Sequence, residues 1–537
     1  MPIGYWMLVL HAHMPFIRHP LYSDPFEERW LFEAIIECYL PILEVLDRLK
    51  KDGIYCRITM SLTPPLVSML KDPFLQSRFL RHIEKLIELA EKEVIRTRHD
   101  PKLNETANYY FNTFKRYRRV FLETYGSDIT KGFLEYRDAG MLELITCGAT
   151  HGFFPLLGLQ RQSVIAQVNV AVKHHEYYLG FKPQGMWLPE CGYNPEDESI
   201  IKDAGIQYFF LETHGLTEAD PTPRYGTYAP ICTPSMLIAF ARDRESAEEV
   251  WSADVGYPGD PDYREYYRDI GYDLPLDYIK PYIHESGIRI NTGIKYHRIT
   301  GNVPLDKKEP YSLEKAIKKT EIHASDFVGK RKKQILTVNK ILGIKPLVVS
   351  PYDAELYGHW WYEGPRFIEN VFRYLSKEKD ILPVTPMEYF ETSPTIEVSS
   401  PHPSTWGMNG YFEYWLNETN HIIWKHLHVA AKRMVVLANK YYYCERGSIQ
   451  ERVLNQALRE LLLAQSSDWA FIMSSNTTTD YAIKRTEEHL SNFHRLCDQL
   501  EKGVVMIRLL MHLENKDNIF PLIDFRIFNT PKTAFPL

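Results

Sequence analysis

Apolar residues along this chain fall into two patterns. Short runs rich in β-branched and aromatic residues recur at Tyr5–Leu10, Tyr55–Ser61, Leu142–Thr146, Gln184–Leu188, Gln207–Leu211, Leu237–Phe240, Lys345–Ser350 and Leu382–Thr385. Such runs predict buried strands. Between them lie stretches with apolar residues every three or four positions. In Trp30–Lys50, for example, Leu31, Ile35, Tyr39, Ile42, Leu46 and Leu49 share a helical face. Ser163–Leu179, Asp197–Ala204, Leu313–Leu342 and Arg366–Leu375 read as helices too. Strands alternating with helices predict an α/β fold around a parallel sheet. About seven of these eight runs count as strand ends of a barrel, one short of the eight of a full (β/α) barrel.

Two segments break the alternation. From Pro73 to about Gly140 the chain is charged and helical in period, with Leu80, Ile83, Leu86 and Leu89 followed by Tyr109, Tyr110, Phe114, Tyr117 and Phe121. That is too long for one crossover and predicts a helical insertion over about 73–140. Glu391–Pro403 (ETSPTIEVSSPHP) reads as a linker by its Pro, Ser and Thr content. Beyond it the period is helical only, in Asn420–Tyr442, Ser448–Ala464 and Thr479–Leu500. The expected organisation is a barrel over 1–395 and an all-helical C-terminal domain over 396–537. Tyr225–Pro234, rich in Gly and Pro, is expected to be a surface loop, and the aromatic Val250–Asp273 a cleft wall.

Composition narrows the class of function. Acidic residues outnumber basic ones by 69 to 63, a net charge of −6. A nucleic-acid partner calls for a basic face, so none is expected, and a neutral polymer fits better. The 35 Tyr, 26 Phe and 10 Trp suit stacking against sugar rings as well as core packing. The seven cysteines are odd in number and form no CxxC pair, which favours free thiols in a reducing compartment. The start, MPIGYWMLVLHAH, lacks basic residues before its apolar run and reads as a first strand rather than a signal peptide. No apolar run approaches a membrane span. A cytoplasmic protein without a membrane partner is expected.

Two stretches carry candidate chemistry. They are Met186–Tyr193 (MWLPECGY) and Val348–Pro365 (VVSPYDAELYGHWWYEGP). Proline is expected to end each strand ladder, at Pro189 and Pro351. Glu190 and Asp353 then sit just past strand tips, where barrels place their chemistry. Trp187, Tyr193, Tyr352, Tyr357, Trp360, Trp361 and Tyr362 crowd them. Paired carboxylates walled by rings suit cleavage of a glycosidic bond, although a carboxylate past a strand also serves as a helix cap or salt-bridge partner. Glu355, two residues beyond Asp353, is expected to point elsewhere. His11 and His13 are expected to face opposite ways, so that only one lines the cleft. With His151 they offer an alternative, a divalent metal site of the sugar-deacetylase kind. Arg242 clamps a hydroxyl or carboxylate, or makes a structural salt bridge.

Taken together, HAHMP at His11–Pro15, CGATHG at Cys147–Gly152, WLPECGY at Trp187–Tyr193, GIKYHRITG at Gly293–Gly301, SPYDAELYGHWWYEGP at Ser350–Pro365 and AQSSDWAFIM at Ala464–Met473 are highly specific. With them the chain resembles glycoside hydrolase family 57, in the branch of α-1,4-glucan branching enzymes and relatives described as α-amylases. The resemblance implies an incomplete (β/α)7 barrel whose cleft is closed by the helical domain. It places the nucleophile on Glu190, the general acid/base on Asp353 and substrate-site histidines on His13 and His151. It places His359, Trp251, Trp360, Trp406, Trp415, Asp468 and Trp469 along the cleft, although Trp406, Trp415 and Trp469 equally suit packing of the helical domain on the barrel. Branching members carry a mobile loop with Tyr-Gly at its tip, matched here by Tyr225-Gly226, but the stretch that follows is short, as in the amylases. The implied partner is an α-1,4-glucan, with neither metal nor cofactor, since a zinc ion does not suit a site with a dedicated nucleophile. Three readings stand behind branching: hydrolysis by the same pair, metal-dependent deacetylation, and glucan binding without catalysis.

Overall fold

The computed structural model describes residues 2–252, 255–392, 394 and 396–530. Seven parallel strands follow one another around a ring: β1 (Gly4–Ala12), β2 (Ile58–Leu62), β3 (Leu142–Ile145), β4 (Gly185–Met186), β5 (Tyr208–Leu211), β6 (Ile238–Ala241) and β7 (Leu347–Asp353). β1 pairs with β2 on one side and β7 on the other, β2 with β3, and β5 with both β4 and β6. Two thin seams close the ring. A single parallel bridge joins Thr146 to Met186, and the Asp243 N–H donates to the Val349 carbonyl over 2.8 Å. These seams make the (β/α)7 barrel incomplete.

The ring is filled from alternate positions of its strands. Tyr5, Met7 and Val9 of β1, Tyr208 and Phe210 of β5, Phe240 of β6, and Leu347 and Val349 of β7 form one buried cluster. The run ending in Leu382–Thr385 does not join the ring. It forms a short strand, Ile381–Pro383, beside Gly4–Trp6 at the N-terminal end of β1. Proline does not end β7: the ladder continues through Pro351, opposite Val9, to Asp353, opposite His11. Residues two apart in a parallel strand direct their amides to the same neighbour. Pro351 therefore lacks its N–H on the side of the thin seam to β6, where no ladder bond is lost.

The helix after β1 runs from Glu28 to Lys51 with a π-turn at Ile35–Tyr39. Between β2 and β3 stand the helices Pro64–Leu70, Pro73–Arg96, Pro101–Arg119 and Thr130–Asp138. Asp72 and Asp100 cap the second and third, each accepting two backbone N–H bonds just before a proline. The expected surface loop at Tyr225–Pro234 instead contains a strand, Ile231–Cys232, antiparallel to β6. Glu397–Val398, from the stretch read as a linker, pairs with that strand, so this part of the connection is zipped to the barrel. Residues 393 and 395 of that stretch lie outside the described residues. The C-terminal helices are His421–Lys440, Ile449–Ala464, Ser467–Ser475, Thr479–Glu501 and Ile507–Lys516. No helix among the described residues is long and apolar enough to cross a membrane.

Candidate active site

The inward alternation of β1 continues past its apolar positions. After Tyr5, Met7 and Val9 the same parity brings His11 and then His13 to the mouth of the barrel. The expected divergence of the two histidines is therefore corrected: residues two apart on a strand share a face. Both meet His151, which follows β3. The His13 and His151 rings stack with centroids 3.8 Å apart, and Nε2 of His11 lies 3.0 Å from Nε2 of His151. His11 Nδ1 pairs with the Ser61 hydroxyl and His13 Nδ1 with that of Thr63. His13 Nε2 reaches the Asp468 carboxylate at 3.0 Å. Burial, with the other histidines beside them, holds His11 and His151 well below the usual imidazole value. Burial would also lower His13, but the Asp468 charge outweighs it and raises His13. Burial would raise Asp468, and His13 brings it down to about 2.

Glu190 sits in the tight turn Pro189–Cys191 after β4, in left-handed backbone with φ 61° and ψ 24°. A non-glycine residue seldom adopts this conformation, and such residues cluster at functional sites. His151 shares the feature with φ 58°. The Glu190 side chain is buried and held by two donors. Trp406 Nε1 donates to Oε2 over 3.0 Å and the Ser467 hydroxyl to Oε1 over 2.8 Å. The Trp406 amide also donates to the Glu190 carbonyl. Burial pushes the Glu190 carboxyl up to about 7 despite these donors, with the Asp468 charge adding to the rise.

Asp353 points the same way as Leu347 and Val349 of its strand, into the barrel mouth beside His11. Its carboxyl opens into the cleft, and enclosure by the cleft walls pushes it up to about 6, against the pull of His13 and Arg242. Glu355 turns to a partner that Asp353 does not share. It accepts the Tyr39 hydroxyl at 2.5 Å, its charge acts on His13, and burial pushes it up to about 7.

The remaining expected residues separate into those at the site and those removed from it. Arg242 is half-buried and paired with Glu212 at 3.0 Å, the structural salt bridge, while its charge still acts on Asp353. His359 Nδ1 lies 2.6 Å from Glu37 and Nε2 3.1 Å from the Tyr266 hydroxyl. Trp360 stacks on Tyr266 with centroids 4.6 Å apart and is 55% exposed. Trp251 is 71% exposed at the end of the helix Arg244–Trp251. Tyr225 makes no hydrogen bond to either carboxylate; it precedes the turn Gly226–Tyr228, which packs against β7. Trp415 and Trp469 take the packing alternative. Each is only 1% exposed: Trp415 is stacked on Phe153, and Trp469 donates to the Leu463 carbonyl, so both serve the core.

Sequence reasoning passed over Ser467 as a functional residue, although it bonds Glu190 and, at 2.8 Å, His151 Nδ1. Its signal was its place beside Asp468 in a serine-rich break. Trp187 was noted only as a neighbour; its ring stacks on His11 at 5.0 Å and packs against Trp406. His13, His151 and Asp468 are close enough to hold a cation between them, with their donor atoms already engaged to one another and to Ser467.

A parallel barrel with a clamped carboxylate, a second carboxyl open to the cleft and exposed rings at the rim defines a carbohydrate-active enzyme of the barrel class. The profile of Glycosyl hydrolase family 57 matches residues 7–342, and that of the 1,4-alpha-glucan branching enzyme C-terminal domain matches residues 426–528. The chain belongs to glycosyl hydrolase family 57. It is 32% identical to a 1,4-alpha-glucan branching enzyme of Thermococcus kodakarensis, over 96% of this chain and 77% of that one. The crystal structure of the novel alpha-amylase AmyC from Thermotoga maritima superposes with a TM-score of 0.92 at 46% identity, covering 98% of this chain and 99% of that one. A branching enzyme of the same family from Pyrococcus horikoshii superposes with a TM-score of 0.87 at 34% identity, covering 99% and 97%.

Proposed function

We propose that this protein is a retaining 1,4-α-glucan branching enzyme, with Glu190 as nucleophile and Asp353 as general acid and base. The clamp on Glu190 carries the reading: two donors aim its carboxylate while Asp353 faces the open cleft. The Glu190 carboxylate attacks C1 of a glucosyl unit. The C1–O4 bond breaks, its electron pair stays on O4, and O4 takes the Asp353 proton. The chain is then esterified to Glu190. Asp353, now ionised, removes the proton of an incoming 6-hydroxyl, whose oxygen attacks C1 and frees Glu190. The product is an α-1,6 branch.

The chemistry needs Glu190 ionised and Asp353 protonated, and burial raises both carboxyls, Glu190 to about 7 and Asp353 to about 6. Substrate binding favours the proton on Asp353. Glu190 is already sealed, whereas Asp353 still has cleft water to lose. A bound glucan strips that water and raises Asp353 further. Trp360 offers its exposed face to a pyranose ring, and the His13–Asp468 pair offers charged partners to sugar hydroxyls. The seven free thiols support a cytoplasmic setting.

The branching-enzyme relatives and the branching-type C-terminal match support transfer to a hydroxyl. The 46% identity to AmyC favours a second reading, hydrolysis by the same pair with water as acceptor. Incubation with pure amylose separates them. Proton spectra of the product are expected to show new α-1,6 anomeric signals with few new reducing ends. New reducing ends without branch signals would select the amylase reading.

A further inference from the structure

A cavity of about 400 Å³ lies away from both catalytic carboxyls, between the helix that carries the π-turn and the inserted helix Pro101–Arg119. This volume lies within the ~300–1,000 Å³ of small-molecule sites. Glu33, Glu37 and Glu44 line it along one helical face, Tyr109, Thr113 and Tyr117 along the other, and Tyr362 also borders it. Aromatic walls alternate with polar groups, and several of those polar groups have no partner. Thr113 is 3% exposed, and its hydroxyl oxygen makes no hydrogen bond. Among the described residues, neither the Glu33 carboxylate nor the His82 ring, which also lines the cavity, makes one. Buried polar atoms are almost always paired, so the Thr113 hydroxyl at this wall points to a polar occupant, and the half-buried Glu33 and His82 add further polar atoms to the lining.

The lining also decides its chemistry. The cations at the wall are engaged: Arg48 with Glu369 at 2.7 Å and Arg116 with Glu44 at 2.7 Å. Three carboxylates against engaged cations disfavour an anion, and the unpaired hydroxyl and carboxylate disfavour an apolar guest. Burial holds His82 down to about 3, so its ring is neutral and can accept as well as donate. A neutral polyhydroxyl with apolar ring faces meets both demands. A relay of side chains leads from the cavity toward the segment after β7: Glu37 borders the cavity and holds His359, which meets Tyr266, the ring on which the exposed Trp360 stacks.

We infer that this cavity is a second binding site for the α-1,4-glucan, taking a few glucosyl units of a chain engaged elsewhere in the catalytic cleft. The inference rests on the glucan-active reading above.

The full-length variants Thr113→Val and Tyr109→Ala test it. Val keeps the shape of Thr113 and breaks no existing hydrogen bond, so it guards against misfolding. Retardation in native gels containing amylopectin is expected to weaken in both, in Tyr109→Ala by roughly fivefold in affinity, the size of one lost stacking contact. Saturated turnover of short malto-oligosaccharides is expected to stay within about twofold of the parent in both variants. A crystal soaked in maltotriose is expected to show sugar in the cavity. Unchanged retardation of both variants, or water alone in the soaked cavity, would overturn the inference. If the parent acts on amylose in either case, only the cavity assignment falls. A parent that neither binds amylopectin nor acts on amylose would remove the glucan reading itself.

Discussion

Glu190 combines three costs that a merely structural carboxylate avoids: left-handed backbone, burial, and nearby negative charge from Asp468. Its pKa gives the sign of the stability effect. The folded value of about 7 lies above the unfolded value of 4.5, so the folded state binds this proton more tightly. Stability is then lost as pH rises from about 4.5 to about 7. Glu190→Gln removes the ionisable group. Denaturant titration is expected to find the variant more stable than the parent above pH 7, on the order of 1–3 kcal/mol, with the gain vanishing below about pH 4.5. Activity on amylose is expected to fall at least about a thousandfold. The pair also sets the pH profile. The profile of kcat/KM is expected to be bell-shaped, with apparent values near 6 and 7 that belong to both carboxyls. If substrate dries Asp353, the alkaline limb of kcat lies above that of kcat/KM; coincident limbs would contradict the proposed drying of Asp353. Glu190 and Asp353 were legible because each follows a short apolar run and the family motifs surround them. Ser467 was not, because its bond to Glu190 spans 277 positions and no local pattern encodes it. The choice between cleft and core for Trp415 and Trp469 stayed open because a motif identifies a residue without saying which way it faces.

At the scale of elements, one irregularity supports the segment after β7 that follows Asp353. The π-turn at Ile35–Tyr39 adds a residue to a helical turn, a feature frequent at functional sites. Two of its side chains reach the segment after β7: Glu37 bonds His359, and Tyr39 bonds Glu355. The backbones also approach closely. Gly358 has φ +122°, and a Cβ there would stand 1.8 Å from the Glu37 carbonyl oxygen. Gly358→Ala must therefore separate the loop from the helix. Calorimetry is expected to show destabilisation on the order of 2–4 kcal/mol, together with loss of activity. A parent-like melting temperature would contradict that packing. The sequence showed helical period across Trp30–Lys50 but not the π-turn, because one inserted residue barely disturbs an apolar stripe. The β7 boundary failed for a related reason. Proline ends a ladder only where its N–H is needed, and the need depends on which neighbour lies on that side.

At the scale of the molecule, the site is assembled from both ends of the chain. β1, β7 and the turns after β3 and β4 supply His11, His13, Asp353, His151 and Glu190. The break before the helix Ser467–Ser475 supplies Ser467 and Asp468. A backbone bridge between Gly152 and Ser466 fastens this break to the barrel, and the Ser467 amide donates to the His151 carbonyl. The alternation of strand and helix made the barrel legible, and the switch to purely helical period marked the C-terminal helices. The dependence of the site on those helices was implied only by family resemblance, since periodicity does not say where one element docks on another. The central claim is that Glu190 carries the glucan chain between donor and acceptor. Reaction of the Asp353→Asn variant with α-maltosyl fluoride tests it most directly, because fluoride leaves without an acid while turnover of the ester is slowed. Peptide mass spectrometry is predicted to find a maltosyl adduct on Glu190, whereas an adduct on Glu355 or another carboxylate, or none at all, would contradict the account.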